Sequence, residues 1–403
     1  MTDVGLRRAS NQDSYGYQLA GSEQDWLRRG HLFIVADGMG AHAAGERASK
    51  MAVDHITLNY SKSDGPPGES LKASVVSANA KIHSTGEDNP DFKGMGTTCD
   101  SLLLLPYGAV AAHVGDSRVY RLRGTRFEQL SRDHSLVWEM MAQRGVAEQE
   151  LAGHIPKNII TRSLGPSAEV QVDLEGPFPY EPGDTFLMCS DGLSGQVRDE
   201  EMGAILAVMP PNEAVRVLIE LANLRGGPDN ITVIVVRVKQ VDPHWASQAW
   251  AAKSGGGAAV HPLLWVGAGV CIALGAILYL SGHSIPGLIA GLSGLGVLGF
   301  AALQKLGGGG GSGGGYTTML GTGPHRSYDS TPNRELLDDL ETLVDPVCQT
   351  ARQQNWQIDW QRFERFRSAS KAASDRYDFA GALRELCRGI SFLMQEVREQ
   401  QNR

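Results

Sequence analysis

Four aspartates sit where apolar runs begin or end. The run 31–36 gives way to Asp37-Gly38, 109–114 to Gly115-Asp116, and 185–189 to Ser190-Asp191-Gly192, while Asp229-Asn230 opens the run 231–238. Carboxylates at the ends of buried strands are rigidly held and half desolvated, and they repel one another unless cations lie between them. Hard divalent ions with oxygen ligands meet that need. A glycine after the aspartate lets the backbone approach an ion and offer its carbonyl. One Asp-Gly pair alone reads as a turn. Four aspartates at the ends of apolar strands point to a site for divalent cations.

The elements that must position them read as alternating strands and helices over residues 1–240. Strands are expected at 31–36, 102–105, 109–114, 185–189 and 231–238, and helices at 44–59, 69–84, 136–144 and 212–223. Tyr107-Gly108 joins two strands as a tight hairpin, which favours antiparallel pairing.

With 403 residues there is room for two or three domains, and a 42% hydrophobic share provides a large core. A net charge of −8 argues against nucleic acid as a partner. The five cysteines, Cys99, Cys189, Cys271, Cys348 and Cys387, are scattered and odd in number, which fits a reduced compartment rather than a disulfide framework. Cys189 reads as a small core residue. The first thirty residues are polar and carry Arg7, Arg8 and Asp13, so no N-terminal signal peptide is expected.

Past residue 242 the composition changes. Residues 243–261 read as a linker ending in small residues. The stretches 263–280 and 285–303 are uncharged, each near the ~20 residues that cross a bilayer. The short polar turn between them makes 262–304 a two-helix transmembrane hairpin, with Gly287 and Gly291 letting the helices approach. Lys253 before and Lys305 after, with no Lys or Arg in the turn, place both flanks in the cytoplasm, on a multi-pass chain in the cell inner membrane. Residues 305–330 are a Gly-rich linker. Residues 331–403 carry three apolar stripes at helical spacing and read as a small all-α domain, with Ser330-Thr331-Pro332 as its capping signal.

Six motifs, in order, resemble the metal-dependent protein phosphatases, the protein phosphatase 2C family, in its bacterial form. They are Gly5 to Ser14, Val35 to Gly40 with Gly45-Glu46, Gly96-Thr97-Thr98 with His113 to Tyr120, Asp133 to Val137, Ser190 to Leu193, and Asp229 to Thr232. The resemblance covers about residues 1–240. It implies an α+β fold, a sandwich of two antiparallel β-sheets flanked by helices. It also implies hydrolysis of phosphoserine and phosphothreonine on proteins that serine/threonine kinases phosphorylate, with two Mn2+ or Mg2+ ions. Asp37 would bridge the two ions, Gly38 would offer its carbonyl to one, Asp191 and Asp229 would complete the other, and Asp116 would help bind a looser third. Arg8 would hold the substrate phosphate, and Asp13 would orient water. Met39 stands where eukaryotic members carry a histidine, with His42 three residues on, and Gln12 stands where some members carry an acid. The segment 138–162 resembles the family's flap. Two other readings exist: a phosphoprotein-binding pseudo-enzyme, which the retained Asp37, Asp191 and Asp229 argue against, and a membrane adaptor working through 331–403.

Overall fold

A computed structural model describes residues 1–40, 43–144, 159–240 and 320–401, with a scattering of residues between 270 and 286. His42, most of the expected flap and most of the expected membrane hairpin lie outside the described residues. Residues 1–246 and 319–403 form one compact unit, and 247–318 form another.

Two antiparallel sheets make the first unit. In one, β2 (Asp13–Gln18), β3 (His31–Met39), β5 (Cys99–Leu105), β6 (Gly108–Val114) and β9 (Asp173–Phe178) lie side by side, with the short β4 (Gly96–Thr97) on the end of β3. The other runs β1 (Thr2–Asp3), β11 (Ile231–Arg237), β10 (Thr185–Cys189), β7 (Arg118–Arg123), β8 (Arg126–Gln129) and β12 (Arg326–Asp329). The α+β sandwich expected from the family resemblance is thus present.

The two-residue period of a strand sorts the core into layers. Phe33, Val35, Leu102, Leu104, Val119, Phe186 and Met188 pack between the sheets. Their neighbours Leu32, Ile34, Leu103 and Leu105 turn outward onto α2 (Ala44–Lys62) and α3 (Pro67–Asp88), meeting Ile56, Leu71, Val75 and Ile82. On the opposite face Tyr120, Leu187, Cys189 and Val233 turn toward α6 (Asp199–Val208) and α7 (Pro211–Leu224). Between those layers, α1 is Glu23–Arg29, α4 is Leu136–Arg144 and α5 is the short turn Asp191–Ser194.

Two expectations are revised. β3 does not stop before Asp37 but runs on through Gly38 and Met39, because β4 offers it a second partner, Gly38 opposite Thr97 and Met39 opposite Gly96. The segment 305–330 is not linker to its end. Residues 326–329 form β12, an edge strand on β8.

The C-terminal helices α8 (Arg334–Gln353), α9 (Trp360–Ser374) and α10 (Phe379–Gln401) share one core with α6 and α7. Leu340, Leu383, Ile390 and Leu393 are buried in it. Polar contacts mark the seam: Arg384 Nε donates to the Val208 carbonyl at 2.8 Å, Arg388 Nε to Glu213 Oε2 at 3.0 Å, and Arg398 pairs with Asp3 at 3.1 Å. The cap of α8 is Asn333, whose Oδ1 accepts from the Leu336 N–H at 2.9 Å, while Thr331 bonds to Asp329 instead of opening the helix.

Among the described residues no helix is long and apolar enough to cross a membrane.

Candidate active site

The expected site residues arrive from separate elements at one end of the sandwich. Asp13 opens β2 and is paired by register with Asp37 in β3. Asp116 lies in the turn from β6 to β7, Asp191 opens α5 directly after β10, and Asp229 precedes β11.

Hydroxyl groups fix the backbone at Asp37 and the carboxylate of Asp13. The Thr98 hydroxyl accepts from the Asp37 N–H at 2.9 Å and bonds with the Ser117 hydroxyl at 2.7 Å. The Thr97 hydroxyl donates to the Asp37 carbonyl at 2.9 Å. The Ser190 hydroxyl donates to Asp13 Oδ2 at 2.7 Å while accepting from the Thr232 N–H at 3.0 Å, tying β2 to the β10–β11 pair. Gly38 admits no side chain, since a Cβ there would overlap the Gly45 carbonyl and lie 2.5 Å from the Gln12 carbonyl oxygen.

Arg8 is carried by a loop that Asn230 pins. The Asn230 side chain donates to the Val4 and Ser10 carbonyls at 2.9 and 3.0 Å and accepts from the Gln12 N–H at 2.8 Å. The Arg8 guanidinium thereby reaches Asp229 Oδ2 at 2.7 Å with its side chain still half exposed.

Electrostatically the site is loaded with negative charge. Burial first, then the charges of Asp13, Asp191, Asp116 and Asp229, holds the Asp37 carboxyl well above its ordinary range. Asp13 is pushed up to about 7 by burial, against the Ser190 hydrogen bond, and Asp116 to about 7 by burial and Asp191. Asp191 is raised by burial and by Asp229. Arg8 is raised by its hydrogen bond to Asp229, with Asp37 and Asp191 adding to it. One buried oxygen on each of Asp13, Asp116 and Asp191 has no hydrogen-bond partner. Unpartnered, mutually repelling carboxylate oxygens are the donor set that hard divalent cations take. Among the described residues no three such groups stand close enough to form a ready-made cage. The Asp37 and Asp191 carboxyls hydrogen-bond to each other, and the charges of Asp13, Asp116 and Asp229 act on Asp37.

Behind Asp116 lies a polar brace, several of whose residues fall within the ordered motifs but carried no expected role. His134 accepts from the Gly115 N–H at Nδ1, 3.0 Å, and donates its own backbone N–H to the Gly115 carbonyl at 2.7 Å. Its Nε2 faces Asp173 at 3.0 Å, and burial lowers the imidazole to about 4, so the ring is neutral and donates there. Asp133 receives the Arg118 guanidinium at 2.7 Å and the Gln129 amide at 2.7 Å. Thr98, Ser190 and Asn230 are polar residues beside apolar strands and His134 lies in the loop after β8; all four fall within the ordered motifs, and that is the signal that marks them.

A family model described as protein phosphatase 2C matches residues 7–223. Protein phosphatase PhpP of Streptococcus pneumoniae is 36% identical over 247 residues, 60% of this chain and 97% of its own length. Among solved structures, the Mycobacterium tuberculosis serine/threonine phosphatase PstP/Ppp is 35% identical with a TM-score of 0.53, over 60% of this chain and 97% of that one. A PstP catalytic domain in complex with two manganese ions is 34% identical with a TM-score of 0.50, over 60% and 96% of the two chains.

Proposed function

We propose that this chain, which belongs to the protein phosphatase 2C family and is a serine/threonine protein phosphatase, removes phosphate from phosphoserine and phosphothreonine of proteins that serine/threonine kinases modify. The observation that carries this is the convergence of Asp37, Asp116 and Asp191, all raised in pKa, with Arg8 against Asp229 at 2.7 Å. Asp37, Gly38, Asp191 and Asp229 would hold two divalent ions, manganese or magnesium, and Asp116 would help hold a third. Bound divalent ions supply a Lewis acid for the phosphoryl oxygens and a water acidic enough to attack near neutral pH. Arg8 presents paired N–H donors that fit a phosphate as a lysine does not. Asp13 Oδ1, buried and unpartnered, is the oxygen available to orient a water or accept its proton. The test is hydrolysis of a phosphothreonine peptide by the full chain with manganese and with a chelator. Undiminished activity in chelator would refute it.

The same reading tethers the enzyme to the inner membrane with its catalytic and C-terminal parts in the cytoplasm. It is supported by the uncharged stretches 263–280 and 285–303 and by Lys253 and Lys305 outside them. The exposed apolar side chains of Val270, Leu274, Ile277 and Leu280 also support it. Fractionation and protease protection of cells expressing the full chain test it; recovery in the soluble fraction would refute the tether.

A further inference from the structure

The residues just before and within β12 lie beyond the family match, yet they grip the helix that follows Asp133-His134. Arg326 sets its guanidinium 4.3 Å from the Trp138 ring centroid and an N–H 3.8 Å from Met141 Sδ. His325 meets the same indole edge-on at 6.3 Å. His325 is itself fixed: its backbone N–H donates to the Gln129 carbonyl at 2.9 Å, and its Nε2 lies 3.1 Å from Glu175 Oε1. Glu175 Oε2 in turn accepts from the Gly323 N–H at 2.8 Å. From Trp138 the chain runs back through Ser135 to His134, which holds Gly115, the neighbour of Asp116.

We propose that His325 and Arg326 are positioning residues for α4, and that the wall α4 forms, beginning two residues past the His134 that holds Gly115, receives the polypeptide of a phosphoprotein rather than its phosphate. The proposal rests on the phosphatase reading. A phosphate seated among the carboxylates leaves its polypeptide to lie along the flanking surfaces. One of these is α4, whose first residue is two past His134. A cation over an indole face orders both partners, so a residue from beyond the family match shapes the substrate surface without touching the reacting phosphate.

The test uses the full chain with Arg326→Ala and Arg326→Lys, and Arg326→Gln should the alanine variant fail to fold. Amide hydrogen exchange over 136–144 should quicken in Arg326→Ala and recover in Arg326→Lys, which keeps a cation on the ring. KM for a phosphothreonine peptide should rise about two- to tenfold with kcat nearly unchanged, while para-nitrophenyl phosphate, which has no polypeptide, should be hydrolysed as before. Unchanged exchange over 136–144 would overturn the positioning role. Equal losses on both substrates would overturn the assignment of the wall to the polypeptide. A native chain inactive on both substrates would remove the phosphatase reading and the substrate half of the proposal with it, and exchange would then decide the positioning role alone.

Discussion

Asp13 and Asp37 face each other across the β2–β3 pair, and the Ser190 hydroxyl, 2.7 Å from Asp13 Oδ2, is what holds the first of them. Two like carboxyls in adjacent strands raise one another's affinity for protons. Ser190→Ala would remove the stronger of the two side-chain hydrogen bonds to the buried Asp13 carboxyl, leaving that of Thr232. It should reduce kcat by about 10–100-fold, the usual result of losing an outer-shell partner, and Ser190→Thr should recover part of the loss. Steady-state kinetics of the three proteins at saturating manganese would decide it.

Asp191→Asn keeps the shape of the side chain and removes its charge. A neutral amide holds a hard cation poorly, so activity should fall by more than about 100-fold and manganese binding measured by calorimetry should weaken. Binding equal to that of the native chain would take Asp191 out of the metal site.

Arg8→Ala should raise KM more than it lowers kcat, because a phosphate anchor acts in ground and transition states alike. Arg8→Lys should not restore KM, since an ammonium cannot donate two parallel N–H bonds. Loss of kcat with KM unchanged would assign Arg8 to the transition state alone.

Glu220 gives a pH signature away from the site. It is buried in α7 where α10 packs, and burial raises its carboxyl to about 7, against the Ser391 hydrogen bond and the charges of Arg398 and Arg216. The folded value lies above the ordinary 4.5, so the folded chain binds the extra proton between those limits. Its contribution to stability is complete below about pH 4.5 and is lost as pH rises through 7. Between pH 5 and 8 the native chain should therefore lose about 1–3 kcal/mol relative to Glu220→Gln, seen as a thermal-midpoint difference that opens with rising pH. A gap that stays constant with pH would refute the buried ionisation.

Cutting the chain after residue 242 should uncover the apolar face of α6 and α7 that α8 and α10 cover. The fragment should bind a hydrophobic dye and melt earlier than the full chain. Within the full chain, Leu393→Ala should cost about 2–5 kcal/mol by chemical denaturation. A fragment as stable as the whole would mean that the shared core contributes little.

The sequence by itself located most of the strands and the aspartates that border them, because apolar runs and their flanks are local properties of the chain, and the motif order, through the family resemblance, implied the sandwich. Asp116, Asp191 and Asp229 lie at or beside strand ends as their local pattern shows, whereas Asp37 lies within β3. Tertiary structure alone decided three other matters. β3 continues past Asp37 only because β4, nearly sixty residues away, pairs with it. Arg8 meets Asp229 across 221 positions because Asn230 pins its loop, and no local pattern encodes that distance. The stripes on α8 and α10 foretold apolar faces but not their partner. A stripe states how much surface must be buried, while the complementary face of α6 and α7 exists only once the sheet has brought those helices together.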